Sequence, residues 1–159
     1  MNYSGLWLTC KPVKADFSNI GAVYYNSYSR VVLTAVCELR DAIAVMSGSE
    51  PEIRHASVPP EGGIYLFAGN GGSYTDSDVQ AYTIEENGGV ITIRSESVQG
   101  VLWGAFELVR RIRCGKDITG ISERFSPDAP LRMLDHWDNT DGSIERGYSG
   151  RSFFFKDGE

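Results

Sequence analysis

Apolar and polar positions change rhythm several times along the chain, and each change marks an element. From residue 29 to residue 46 the apolar side chains Val32, Ala35, Val36, Leu39, Ile43 and Met46 recur three and four positions apart, while Arg30, Glu38, Arg40 and Asp41 fall mostly off that stripe. This spacing keeps one side of a 3.6-residue helix apolar and predicts an amphipathic helix. Ser29 is placed to cap its start and Gly48 its end. A second helix is predicted over residues 98–113, with Val101, Leu102, Ala105, Leu108, Val109 and Ile112 on one stripe. Glu107, Arg110, Arg111 and Arg113 fall on its other side, and Gly115 ends it.

Elsewhere the period shortens. Residues 6–13, closed by Pro12, and residues 20–25 read as strands. Residues 49–63 carry Pro51, Pro59, Pro60 and a glycine pair, which predicts a loop around a brief strand at 52–55. A strand at 64–68 leads into GNGGSYTDSD, a polar turn-forming run. Residues 81–85 and 90–94 alternate as two strands, and the Asn87-Gly88 pair between them supplies positive backbone torsions, predicting a β-hairpin. Strands before, between and after two amphipathic helices predict an α/β fold, a two-layer sandwich in which both helices cover one mixed sheet. Residues 116–130, with Pro127 and Pro130, read as a linker, so the chain divides into a sandwich domain at 1–126 and a second unit at 127–159.

Charge narrows the function classes. Fifteen basic against twenty-one acidic residues give a net charge of -6, the wrong sign for a nucleic-acid partner. No window approaches the roughly eighteen apolar residues of a membrane span, and the N-terminus lacks a signal-peptide pattern, so a cytoplasmic protein is expected. Cys10, Cys37 and Cys114 are odd in number and embedded in apolar patterns, as expected of buried free thiols. The run from Gly69 to Gly72 lacks the lysine and spacing of a phosphate loop, and His55 and His136 share no helix face with other ligands. Neither a cofactor nor a metal is expected.

The densest chemistry lies in residues 131–150, LRMLDHWDNTDGSIERGYSG. Trp137 offers either a core indole or a flat platform for a sugar ring. Glu145 beside Arg146 is either a surface ion pair at a turn or a hydroxyl acceptor next to a carboxylate-binding fork. Asp135, Asp138, Asp141 and Glu145 crowd one segment, whereas a glycosidase holds its two carboxyls at a fixed separation on rigid elements; they read as binding groups and turn formers. His136 reads as a hydrogen-bonded structural residue, and no catalytic residue is assigned.

The segment closely resembles the start of the catalytic barrel in the α-glucuronidases of glycoside hydrolase family 67, whose motif has the form NHWDN, a spacer, then ERGYAG. Here His136, Trp137, Asp138, Asn139, Glu145, Arg146, Gly147, Tyr148 and Gly150 stand in place. LWLTCKPV near the N-terminus and GVLWGAFELVRRI at 100–112 resemble the family's N-terminal domain. Asp135 stands where the family usually has Asn, and Ser149 where it has Ala.

The resemblance implies removal of glucuronic acid or its 4-O-methyl ether from xylo-oligosaccharides, with inversion at the anomeric carbon. It implies an N-terminal α/β domain, a (β/α)8 barrel, and a helical C-terminal domain through which dimers form. The first barrel strand falls at 132–137, so the fold expected here is the sandwich followed by the opening of an incomplete barrel. Trp137 would flank the glucuronyl ring, and Glu145 and Arg146 would bind its hydroxyl and carboxylate groups. The family's catalytic carboxylates lie further along the barrel, so this chain alone is expected to be inactive. The competing reading is a non-catalytic module that binds acidic oligosaccharide or docks on a partner.

Overall fold

The computed structural model describes residues 20–70, 77–129 and 131–132. In chain order the elements are β1 (Ala22–Tyr25), α1 (Arg30–Ser47), β2 (Glu52–His55), β3 (Gly63–Ala68), α2 (Ser77–Gln80), β4 (Tyr82–Asn87), β5 (Val90–Ser95), α3 (Val98–Arg113) and β6 (Ser122–Phe125). Among the described residues six strands form one sheet in the order β2-β1-β3-β5-β4-β6. The pairs β1–β2, β1–β3 and β3–β5 are parallel, while β4 runs antiparallel to both β5 and β6. The sheet is therefore mixed, as the hairpin required.

Both helices lie on the same face and pack against each other. All six stripe residues of α1 are buried, and they join Val23, Ile64, Leu66, Ile84, Ile91 and Ile93 of the sheet and Val101, Ala105, Leu108 and Ile112 of α3 in one core. Two glycines let α3 approach that closely. A Cβ on Gly104 would stand 2.5 Å from Ile93 Cγ2, and one on Gly100 would stand 2.0 Å from Ser95 Oγ. Ser95 Oγ donates to the Ala81 carbonyl at 2.6 Å and accepts from the Ser97 N–H at 3.2 Å, and Ser97 in turn caps α3 by accepting from the Gly100 N–H at 3.0 Å. The end of β5 and the start of α3 are thus one hydrogen-bonded unit.

Just past the end of β1, the side chain of Asn26 bridges to the end of β3. Its Nδ2 donates to the Ala68 carbonyl at 2.9 Å and its Oδ1 accepts from the Ala68 N–H at 2.8 Å, continuing the ladder beyond β1. The opposite sheet face carries Tyr65, Phe67 and Arg94, with the Arg94 guanidinium 4.1 Å above the Phe67 ring.

Several expectations are corrected. Ser29 occupies the N-cap of α1 without a side-chain cap hydrogen bond, whereas Gly48 closes the helix in the left-handed conformation at φ 76° as expected. Asn87 remains in β4 opposite Val90, and the hairpin turn is made by Gly88 and Gly89, at φ 61° and 86°. The expected linker contains β6, because residues 122–125 find unpaired backbone groups along β4. The polar run after β3 ends in the short α2. Cys37 is exposed and Cys114 only half-buried, since neither lies on its helix's inner stripe; neither forms a disulfide. Arg111, expected outside, is buried. Leu131 and Arg132 are not in a strand; the strands expected at 6–13 and across 133–137 lie outside the described residues, as does Cys10. Among the described residues no helix is long and apolar enough to cross a membrane.

Close packing at Gly100 makes a direct test. Alanine raises intrinsic helix propensity by up to about 1 kcal/mol, but overpacking a core costs about 1–3 kcal/mol. With Ser95 and the Gln80 carbonyl both inside 3.0 Å of the new Cβ, the steric cost should win. Urea unfolding should show Gly100→Ala less stable than the wild type, and an equal or higher midpoint would refute this packing.

Candidate functional site

Trp137, Glu145 and Arg146, together with Asp135, His136 and Asp138, lie outside the described residues. The structure carries the chain to Arg132, five positions ahead of Trp137, and shows how that approach is mounted. β6 pairs with β4 in the register Tyr82↔Phe125, and the two rings stack at 5.1 Å between centroids, 23° from parallel. Beyond β6 the chain returns to the helix layer. Arg132 Nη2 donates to Gln80 Oε1 at 2.6 Å, and its guanidinium carbon stands 5.3 Å from the centre of the Trp103 ring. Tyr82, Trp103, Phe106, Phe125, Pro127 and Arg132 border a cavity of about 490 Å³.

Arg111 fastens this corner. Its Nε donates to Glu107 Oε1 at 2.8 Å, one turn earlier on α3, while Nη1 and Nη2 donate to the two carboxylate oxygens of Glu123 on β6 at 3.2 and 2.7 Å. The guanidinium carbon also lies 5.3 Å from the centre of the Phe125 ring. Glu107 accepts two further bonds from Arg110, from Nε and Nη2, each at 2.6 Å. Burial pushes the Glu107 carboxyl up, but the hydrogen bonds and positive charges of Arg110 and Arg111 outweigh it and hold the group below its ordinary range. The Arg111 guanidinium is raised, chiefly by its bonds to Glu123 and then Glu107. A carboxylate so committed is a poor proton carrier near neutrality, and its bonds join neighbouring side chains of α3 to β6 through Arg111.

Sequence reasoning missed Gln80, Trp103 and the inward role of Arg111. The spacing of Glu107 to Arg110 and Arg111, three and four residues, announces helical ion pairs. Nothing local announces Glu123, twelve residues on in what reads as linker.

Comparison with known proteins gives three findings. The sequence profile described as "Glycosyl hydrolase family 67 middle domain" matches residues 111–159. "Probable alpha-glucuronidase A" of Aspergillus terreus is 31% identical over 177 aligned positions, covering 96% of this chain and 20% of that protein. "Alpha-glucuronidase A" of Aspergillus tubingensis is 37% identical over 81 positions, 51% of this chain and 10% of that protein. The chain therefore spans about a fifth, or less, of the length of these relatives. Among solved structures, a GH138 enzyme targeting pectin rhamnogalacturonan II superposes with a TM-score of 0.53 at 18% identity, over 67% of this chain and 15% of that one. At that identity the likeness concerns the fold.

The depressed Glu107 carboxyl fixes a pH dependence. Its stabilising contribution is fully present above the unfolded-state value, about 4.3, and is lost as pH falls through the lower folded-state value. At pH 7, Glu107→Gln should unfold about 1–3 kcal/mol more easily, because it weakens bonds to a buried guanidinium. The gap from the wild type should narrow below about pH 4, as protonation removes the same charge. Denaturant titrations at pH 7 and pH 3.5 check this; a gap that is unchanged or wider in acid would contradict the assignment.

Proposed function

Because the chain belongs to glycoside hydrolase family 67, we propose that it forms the support domain and the opening of the catalytic barrel of an α-glucuronidase. The substrate in this reading is a xylo-oligosaccharide bearing glucuronic acid or its 4-O-methyl ether, released with inversion. The observation that carries the proposal is the alignment with "Probable alpha-glucuronidase A" over 96% of the chain, which takes in the HWDN and ERGYSG motifs.

Each motif residue has work suited to its chemistry. The Trp137 indole stacks on the apolar face of the glucuronyl ring. Arg146 holds the sugar carboxylate with two parallel N–H bonds, a geometry that an ammonium cannot reproduce. Glu145 accepts from ring hydroxyls. The net charge of -6 gives this chain no long-range attraction for an anionic sugar, so Arg146 supplies a local one. Inversion requires an acid and a base about 6.5–9.5 Å apart across the scissile bond, and those carboxylates belong to later strands of the barrel. Ahead of these motifs, β6 pairs with β4 and Arg132 contacts Gln80 and Trp103.

Two measurements test the proposal. The 159-residue chain incubated with aldotetraouronic acid should release no glucuronic acid above a buffer control; release would show that the chain holds its own catalytic pair. In a chimera in which the chain replaces its matching segment of the Aspergillus terreus protein, Arg146→Lys should lower kcat/KM about tenfold to a hundredfold, the loss of one bidentate charged contact. Unchanged kcat/KM would remove Arg146 from the pocket.

A further inference from the structure

We propose that the outer face of the helix layer, where Val45 stands on α1 and Trp103 and Phe106 on α3, is the surface on which the family's middle domain docks. The sheet-facing stripes of both helices are buried, yet these three large apolar residues point away from the sheet and are 86%, 41% and 44% exposed. They are not scattered. The cavity at Trp103 and a groove of about 420 Å³ between the helices share Phe106 and Arg110, forming one trough across the layer. Exposed apolar surface gathered in this way marks a contact site, and Leu131, 62% exposed, stands in the stretch by which the chain returns to it.

The occupant follows from where the chain goes. The middle-domain profile matches residues 111–159, so Phe125, Pro127 and Arg132, which border the trough, already belong to what the family counts as its middle domain. Docking the remainder there continues a contact that has begun. The relatives are about five times longer than this chain, enough polypeptide to bury the roughly 600–1,500 Å² of an interdomain interface. A sugar suits the trough less well: Arg132 covers the Trp103 ring, and Arg110 and Glu107 are bonded to each other, so the groups that would grip hydroxyls are engaged.

The inference rests on family membership and not on the choice of sugar. Its test compares the isolated 159-residue chain with the chimera described above, by scanning calorimetry. The sandwich should unfold at least about 5 °C higher in the chimera than alone, the scale on which about 1 kcal/mol moves a domain of this size. Phe106→Asp and Val45→Asp should each cut that increment by half or more while moving the isolated chain's midpoint by less than about 2 °C. If Phe106→Asp unfolds the isolated chain, Val45→Asp decides alone. An equal midpoint in both contexts, or an increment that survives the substitutions, would overturn the proposal. So would an isolated chain that sediments as a dimer and becomes monomeric on substitution, which would assign the face to a second copy. Glucuronic acid release by the chimera is read separately: a chimera whose sandwich is stabilised but which releases no sugar counts against the proposed activity and leaves the docking face standing.

Discussion

Arg111 is the side chain through which the helix layer holds the last strand. Desolvating a guanidinium costs several kcal/mol unless every charge-bearing edge finds a partner, and here the partners come from two elements. Glu107 lies one turn away on α3 and Glu123 lies on β6, while the Phe125 ring approaches from the side. Removing either carboxylate leaves a buried cation underpaired, so the arrangement ties β6 to α3 in addition to the strand pairing with β4. The direction in which the chain leaves the sandwich depends on that join. Arg132, seven residues past the end of β6, reaches Gln80 and Trp103.

The same corner depends on how closely α3 lies on the sheet. Glycine is a poor helix former, and two of them in sixteen residues weaken α3 as an isolated helix. The compensation is tertiary. Without Cβ atoms at 100 and 104, the helix settles onto Ser95, Ile93 and Tyr82, and the buried serines at 95 and 97 satisfy its first turn. A helix held at van der Waals distance brings Arg111 within bonding reach of Glu123; a layer standing a side chain further out would not.

How much of this was legible depended on whether the cause was local. The stripes of α1 and most of α3 were read correctly because periodic burial of aliphatic side chains is decided within each helix. Arg111 was placed outside because its charge argues for solvent, and only Glu123, in a stretch that reads as linker, reverses the argument. β6 itself was invisible: SERF has no apolar alternation, and its strand character comes from the open edge of β4 rather than from its own side chains. Asn87 and Gly88 signalled the hairpin, yet the turn fell one residue later because Gly89 tolerates left-handed backbone better than Asn87 does. In residues 131–150 neither period nor spacing chooses between a packed turn and a sugar wall. The HWDN and ERGYSG resemblance carried that choice, and the relatives named alpha-glucuronidase support the family it pointed to.

Among the described residues, β2 and β6 are the edges of the sheet. β2 is exposed along its whole length, presents Glu52, Arg54 and His55, and follows Pro51. At the other edge β6 presents Ser122, Glu123 and Arg124, with Pro127, which has no N–H to donate, two residues beyond. Charged, short edges of this kind resist further strand pairing. What the sandwich offers instead is side-chain packing, with Val45, Trp103 and Phe106 exposed on the outer side of the helix layer.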